Sequence, residues 1–196
     1  MENSLTSLLS NLDNNSLKEL GNKTNLSPKK AKGALESAIP LLMNALAKNS
    51  STEQGATELQ NAISRDHDGS LLDNLGSFLQ NPEAANGAGI LKHVLGNKQN
   101  TAATYVSKTS GVSSDSAAKI LEMSAPMVMG FLGKKSASNQ GGGINDMLGS
   151  LLSSGKQTST KNQSLITKIL DQDNDGDIMD DLAKIGTSFL GRLFKK

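Results

Sequence analysis

Apolar residues recur along this chain at helical spacing, in short stripes broken by polar turns, and strict residue-by-residue alternation is nearly absent. Leu5, Leu8, Leu9 and Leu12 share one face of a first helix. Asn15 or Ser16 is placed to cap a second helix carrying Leu17 and Leu20. Ser27-Pro28 is a strong helix start, with Ser as the cap and Pro at the first helical position. The helix that follows presents Ala31, Leu35, Ala38, Ile39, Leu42, Met43 and Leu46, and Pro40 inside it is expected to kink it. A fourth helix is predicted over 52–64, with Leu59 and Ile63 inward. A fifth follows Gly69 with Leu71, Leu72, Leu75 and Phe78. The same order then recurs over 88–96, 100–109, 114–133, 162–170 and 178–194.

The recurrence is visible residue by residue. Leu20-Gly21-Asn22-Lys23-Thr24-Asn25-Leu26-Ser27 aligns with Val106-Ser107-Lys108-Thr109-Ser110-Gly111-Val112-Ser113, and Pro40 aligns with Pro126 at the same offset of 86 residues. Asp68-Gly69 and Asp175-Gly176 correspond at a larger offset of 107. The chain therefore reads as two tandem similar helical units. The first repeat spans 1–82. The second spans 87–196 and contains a flexible Gly/Ser-rich insertion at about 133–161 and an acidic loop at 171–181. Within the insertion, Ile144, Met147, Leu148, Leu151 and Leu152 form a one-sided apolar stripe, either a short helix docked on the body or a tethered interaction helix.

Composition narrows the fold class. Hydrophobic residues are 36% and aromatics 3%, so the core must be built from Leu, Ile, Met and Ala, which suits helices and argues against a sheet. An all-α fold is expected. Met43, Met127 and Met129 suit either that core or an adaptable surface. The net charge of +1 gives little long-range attraction to nucleic acid or acidic membranes. With no cysteine there are no disulfides, thiolate metal sites or cysteine nucleophiles. No basic, apolar leader and no stretch of about 18 apolar residues is present, so neither a signal peptide nor membrane insertion is expected, and the default location is cytoplasmic.

The most chemically specific stretch is Asp171-Gln172-Asp173-Asn174-Asp175-Gly176-Asp177-Ile178-Met179-Asp180-Asp181. Clustered carboxylates repel one another, and a hard cation held by oxygen ligands relieves that repulsion. Asp171, Asp173 and Asp175 occupy positions 1, 3 and 5 of a helix–loop–helix calcium loop, with Gly176 at 6 and Asp177 at 7. Position 12 is Leu182 rather than Glu, so Asp180 would close a shortened loop. The candidate cofactor is a structural calcium ion. The competing reading is that Asp175 or Asp177 caps the helix beginning near Ile178. Asp66, Asp68 and Asp73 form a weaker echo, which works equally well as a capped turn in which Ser70 and Asp73 mimic a capping box.

Other chemistry is sparse. His67 and His93 are isolated, and no nucleophile elbow, phosphate loop or dinucleotide fingerprint occurs, so an enzyme is not expected. Val106 to Ser113, followed by a helix, is similar to a DNA-binding helix-turn-helix, and the first unit shows the same turn at Thr24-Asn25-Leu26-Ser27 with Lys29, Lys30 and Lys32 after it. The second unit has Ser114, Asp115 and Ser116 in the corresponding region, and the only arginines, Arg65 and Arg192, lie in neither recognition helix, so nucleic acid is disfavoured.

Taken together, the turn before each Pro-bearing helix, Ser124-Ala125-Pro126-Met127-Val128-Met129-Gly130, His67 to Leu75 and Asp173 to Leu182 resemble the bacterial family of domain of unknown function 937. The resemblance runs from about residue 5 to 190. It implies a bacterial, all-helical protein and transfers no activity. The expected function is that of a non-enzymatic helical binding or structural protein with an unidentified protein partner. The alternatives are helix-turn-helix-like nucleic-acid binding and a small exported cargo or effector delivered by a non-standard route.

Overall fold

The polar breaks seen in the sequence become helix caps. In a computed structural model of the chain, residues 8–9, 12–138 and 143–154 are described, and all belong to one unit, Met1–Gln157. Its helices are α1 (Asn14–Thr24), α2 (Pro28–Asn49), α3 (Glu53–Asp66), α4 (Ser70–Asp73), α5 (Leu75–Gln80), α6 (Gly87–Leu95), α7 (Gln99–Ser110), α8 (Ser114–Ser138) and α9 (Ile144–Ser154), with 3-10 turns at Pro82–Ala85 and Gly96–Lys98. No strand occurs among the described residues, and the fold is all-α. The expected helices at 162–170 and 178–194 lie outside the described residues.

Ser27 caps α2 as expected, its Oγ accepting from the Lys30 amide at 3.4 Å, with Pro28 in the first turn. The cap of α1 differs from the expectation. Asp13, not Asn15 or Ser16, accepts from the Ser16 amide at 2.7 Å, because its carboxylate reaches the third amide of the helix with full charge. The helix expected after Gly69 is broken at Asn74, whose backbone is non-helical at φ −120° and ψ 39°. Both α2 and α8 continue past their internal prolines, Pro40 and Pro126.

Two helices organise the core. α2 and α8 pack on each other, and α8 also touches α1, α3, α4, α6, α7 and α9. Every residue of α8 from Met123 to Gly133 is buried, so this helix has no solvent face over three turns. Elements of the first stretch of sequence and of the second thus share one core. The polar groups inside it are satisfied locally. Ser124 Oγ donates to the Ile120 carbonyl at 2.5 Å, and Thr24 Oγ1 donates to Leu20 O at 2.7 Å. Met43, Met127 and Met129 are core residues, at 0%, 0% and 4% exposure.

Helix α9 answers the question left by the 144–152 stripe. It docks on α2, α3 and α8 and buries Ile144, Met147, Leu148 and Leu151. The helical part of α8 extends to Ser138, into the region the sequence assigned to the flexible insertion.

Candidate functional site

The acidic echo at 66–73 is a tight connection laid across the end of α8. Gly69 adopts φ +99°, and a Cβ there would come 2.8 Å from that of Lys134. The His67 carbonyl in turn rests against Gly133 of α8, where an added Cβ would come within 1.7 Å of the oxygen. The three carboxylates of this segment do not converge. Asp66 is exposed at the end of α3. The Ser70 hydroxyl, and after it the Ser70 amide that donates to Asp68 Oδ1 at 3.0 Å, hold the Asp68 pKa below the usual carboxylate value. Asp73 pairs with Lys134 Nζ instead of closing a capping box with Ser70. Among the described residues, no group of three His, Cys, Asp or Glu side chains is arranged to hold a metal. The fuller loop, with Asp171, Asp173, Asp175, Asp177 and Asp180, lies outside the described residues.

His67 is half-buried in this connection, and burial pushes its imidazole pKa down, with the Asp66 charge opposing the shift. A folded-state pKa below the unfolded value means that the unfolded chain takes up the proton first as pH falls. The contribution of His67 is therefore fully present above the unfolded value near 6.5 and is lost as pH falls below it. The expected result is that the wild-type melting temperature drops more between pH 7 and pH 5 than that of His67→Gln. Parallel curves for the two proteins would refute it.

Beside this connection an open groove runs between α3 and α6, with a volume of about 740 Å³. Leu46, Leu59 and Met129 supply buried apolar surface, and Ile90 and Val94 stand half-exposed at its edge. Glu58 and Asp66 of α3 and His93 of α6 are exposed along it. Asn49, at the end of α2, fixes the far wall by donating its Nδ2 to the Val94 carbonyl at 2.9 Å, which satisfies a free carbonyl at the end of α6. A smaller cleft of about 370 Å³ continues from it past Asp66, His67, Asn86 and Ile90 to Ser70 and Gly130. The sequence reading missed this groove, because its walls come from separate helices whose nearest ends, Asp66 and Gly87, are 21 positions apart. One signal was present: in Ile90-Leu91-Lys92-His93-Val94-Leu95, Leu91 and Leu95 satisfy packing, which leaves Ile90 and Val94 as surplus apolar surface.

The helix-turn-helix-like segments have matching local geometry. Asn25 at φ 56° and Gly111 at φ 67° end their helices in the left-handed conformation. Leu26 N donates to Gly21 O at 2.8 Å, and Val112 N donates to Ser107 O at 3.2 Å. Ser113 caps α8 through the Ser116 amide at 3.1 Å, as Ser27 caps α2. Lys29, Lys30 and Lys32 are brought together, exposed, in the first turns of α2. Beyond those turns both α2 and α8 are core helices, largely covered by the others.

The family described as "Bacterial protein of unknown function (DUF937)" matches residues 6–135, well over half of the chain. The chain belongs to the DUF937 family. Neither curated proteins nor solved structures give a match. The matched part of this DUF937 protein contains α1 to α7 and almost all of α8, with the groove and the 66–73 connection. It ends before α9 and before the Asp173–Leu182 stretch that the sequence comparison had counted toward the resemblance. Among the described residues, no helix of this DUF937 protein is long and apolar enough to cross a membrane.

Proposed function

We propose that this protein is a non-enzymatic binding module that receives a protein partner in the groove between α3 and α6. The observation that carries this reading is the groove itself, in which Ile90 and Val94 stand half-exposed above apolar residues and the α3 side carries Glu58 and Asp66. That arrangement suits an amphipathic segment whose apolar side chains enter the groove and whose basic residues meet the α3 carboxylates. A nucleic-acid reading draws support only from Lys29, Lys30 and Lys32, since the helices that would enter a DNA groove are core helices beyond their first turns. To test the groove, a photo-crosslinking residue is placed at Ile90 and, as a control, at Gly76, where no atom lies within 4 Å of an added Cβ. A discrete adduct at position 90 that disappears in Val94→Glu is the expected result. Identical adducts at both positions, or none at 90, overturn it.

We also propose a structural calcium ion at Asp171, Asp173, Asp175, Asp177 and Asp180, a reading favoured by their D-x-D-x-D-G spacing. Calorimetric titration is expected to give one site that is lost in Asp173→Ala and in Asp175→Ala. Binding linkage then raises stability by about 2.7 kcal/mol at a hundredfold excess over Kd, read as a rise in melting temperature that EDTA reverses. Absence of both heat and melting shift at millimolar calcium would reduce the loop to helix capping.

A further inference from the structure

Helix α9 is 11 residues long, below the roughly 12–15 residues at which an isolated helix begins to hold in water. Docking therefore sustains it. Ile144, Met147, Leu148 and Leu151 fall at i, i+3, i+4 and i+7, and their exposures are 6%, 7%, 1% and 3%. Asn145, Asp146, Gly149 and Ser150 face outward. This is the anchor spacing by which an amphipathic helix enters a hydrophobic groove on another protein. Here the receiving surface is a cradle formed by α2, α3 and α8.

The family match covers the cradle and not its occupant. α2, α3 and all but the last three residues of α8 fall inside the region matched by the family, and α9 falls wholly outside it. The surface that holds the helix thus lies within the family match, while the helix lies beyond its end. Gly143 precedes α9 and contributes no side chain to anchor it, and an added Cβ there would meet nothing within 4 Å.

We propose that the α2–α3–α8 cradle is a helix-binding groove and that α9 is its built-in occupant, displaced by a partner helix with apolar residues at i, i+3, i+4 and i+7. This goes beyond the α3–α6 groove, which no residue of α9 lines. The covalent link sets the competition. A segment joined to its own site competes at an effective concentration on the order of millimolar, so α9 keeps the cradle closed against weak ligands and yields to strong or abundant ones.

The test uses the full chain and a fluorescein-labelled synthetic peptide of residues 143–154. In the double variant Leu148→Glu/Leu151→Glu the tethered helix is released. The peptide is expected to bind this variant saturably and to bind the wild-type chain about 100-fold more weakly or worse, as intramolecular competition requires. A peptide carrying the same two substitutions is expected not to bind. No binding to a double variant that keeps its helical circular dichroism and cooperative melt overturns the proposal, as does equal binding to both chains. Should the double variant lose its cooperative melt, hydrogen exchange on the wild-type chain decides. Amides of 144–154 exchanging at least tenfold faster than those of α8 support a separately opening helix, and equal protection overturns it.

Discussion

Replacing Gly133 with alanine is expected to destabilise the fold by about 3 kcal/mol or more, in the upper range for an overpacked core. The new Cβ would stand 1.7 Å from the His67 carbonyl oxygen and 3.1 Å from the carbonyl carbon of Asp68. Both obstacles are backbone, so no rotamer change relieves them. The connection also has little freedom to retreat. Gly69 is held at φ +99° against Gly130 and Lys134, and Asp73 is tied to Lys134 on the same helix. Gly33→Ala is the matched control. It lies inside α2 with no atom within 4 Å of an added Cβ, and a gain of about 0.5–1 kcal/mol is expected there from reduced freedom of the unfolded chain. Urea denaturation of the two variants beside wild type decides the matter. Equal midpoints would show that α8 and the 67–69 connection do not meet this closely.

Leu35→Ala and Leu121→Ala are each expected to cost about 3 kcal/mol, the middle of the range for emptying a buried leucine site. The two residues occupy corresponding places in α2 and α8 and are 0% and 1% exposed. Because α2 and α8 pack on each other, both losses should appear in the same cooperative transition, whichever stretch of sequence is mutated. Calorimetry distinguishes this from two independent units. If Leu35→Ala moved one transition and Leu121→Ala moved another, α2 and α8 would not share a core.

The parts of this structure that were legible in the sequence are those decided within a few residues. Ser27-Pro28 and Ser113 start their helices because the cap and the first turn are adjacent in the chain. The stripe at 144–151 announced its buried face, although only the structure places that face on α2, α3 and α8. The end of α8 was misread for a tertiary reason. Gly133 reads as the start of a linker, yet it is a point of close backbone approach, and the partner that explains it is 66 positions earlier. The 66–73 segment offered either a weak metal site or a turn with a Ser70–Asp73 capping box; Asp68 accepts from the Ser70 amide instead, and the pairing of Asp73 with Lys134 could not be inferred without knowing that the turn crosses α8. The α3–α6 groove depends on residues from four helices and has no local signature beyond the surplus Ile90 and Val94.

The complete burial of α8 between Met123 and Gly133 also sets an order of events during synthesis. The apolar face of α2 is translated some eighty residues before the helix that covers it, and it leaves the ribosome with its principal neighbour still unmade. Until α8 has emerged, the face of α2 that carries Leu35, Ile39 and Leu42 lacks the helix it packs on, and a nascent chain in that state carries the exposed apolar surface that makes folding intermediates prone to aggregate.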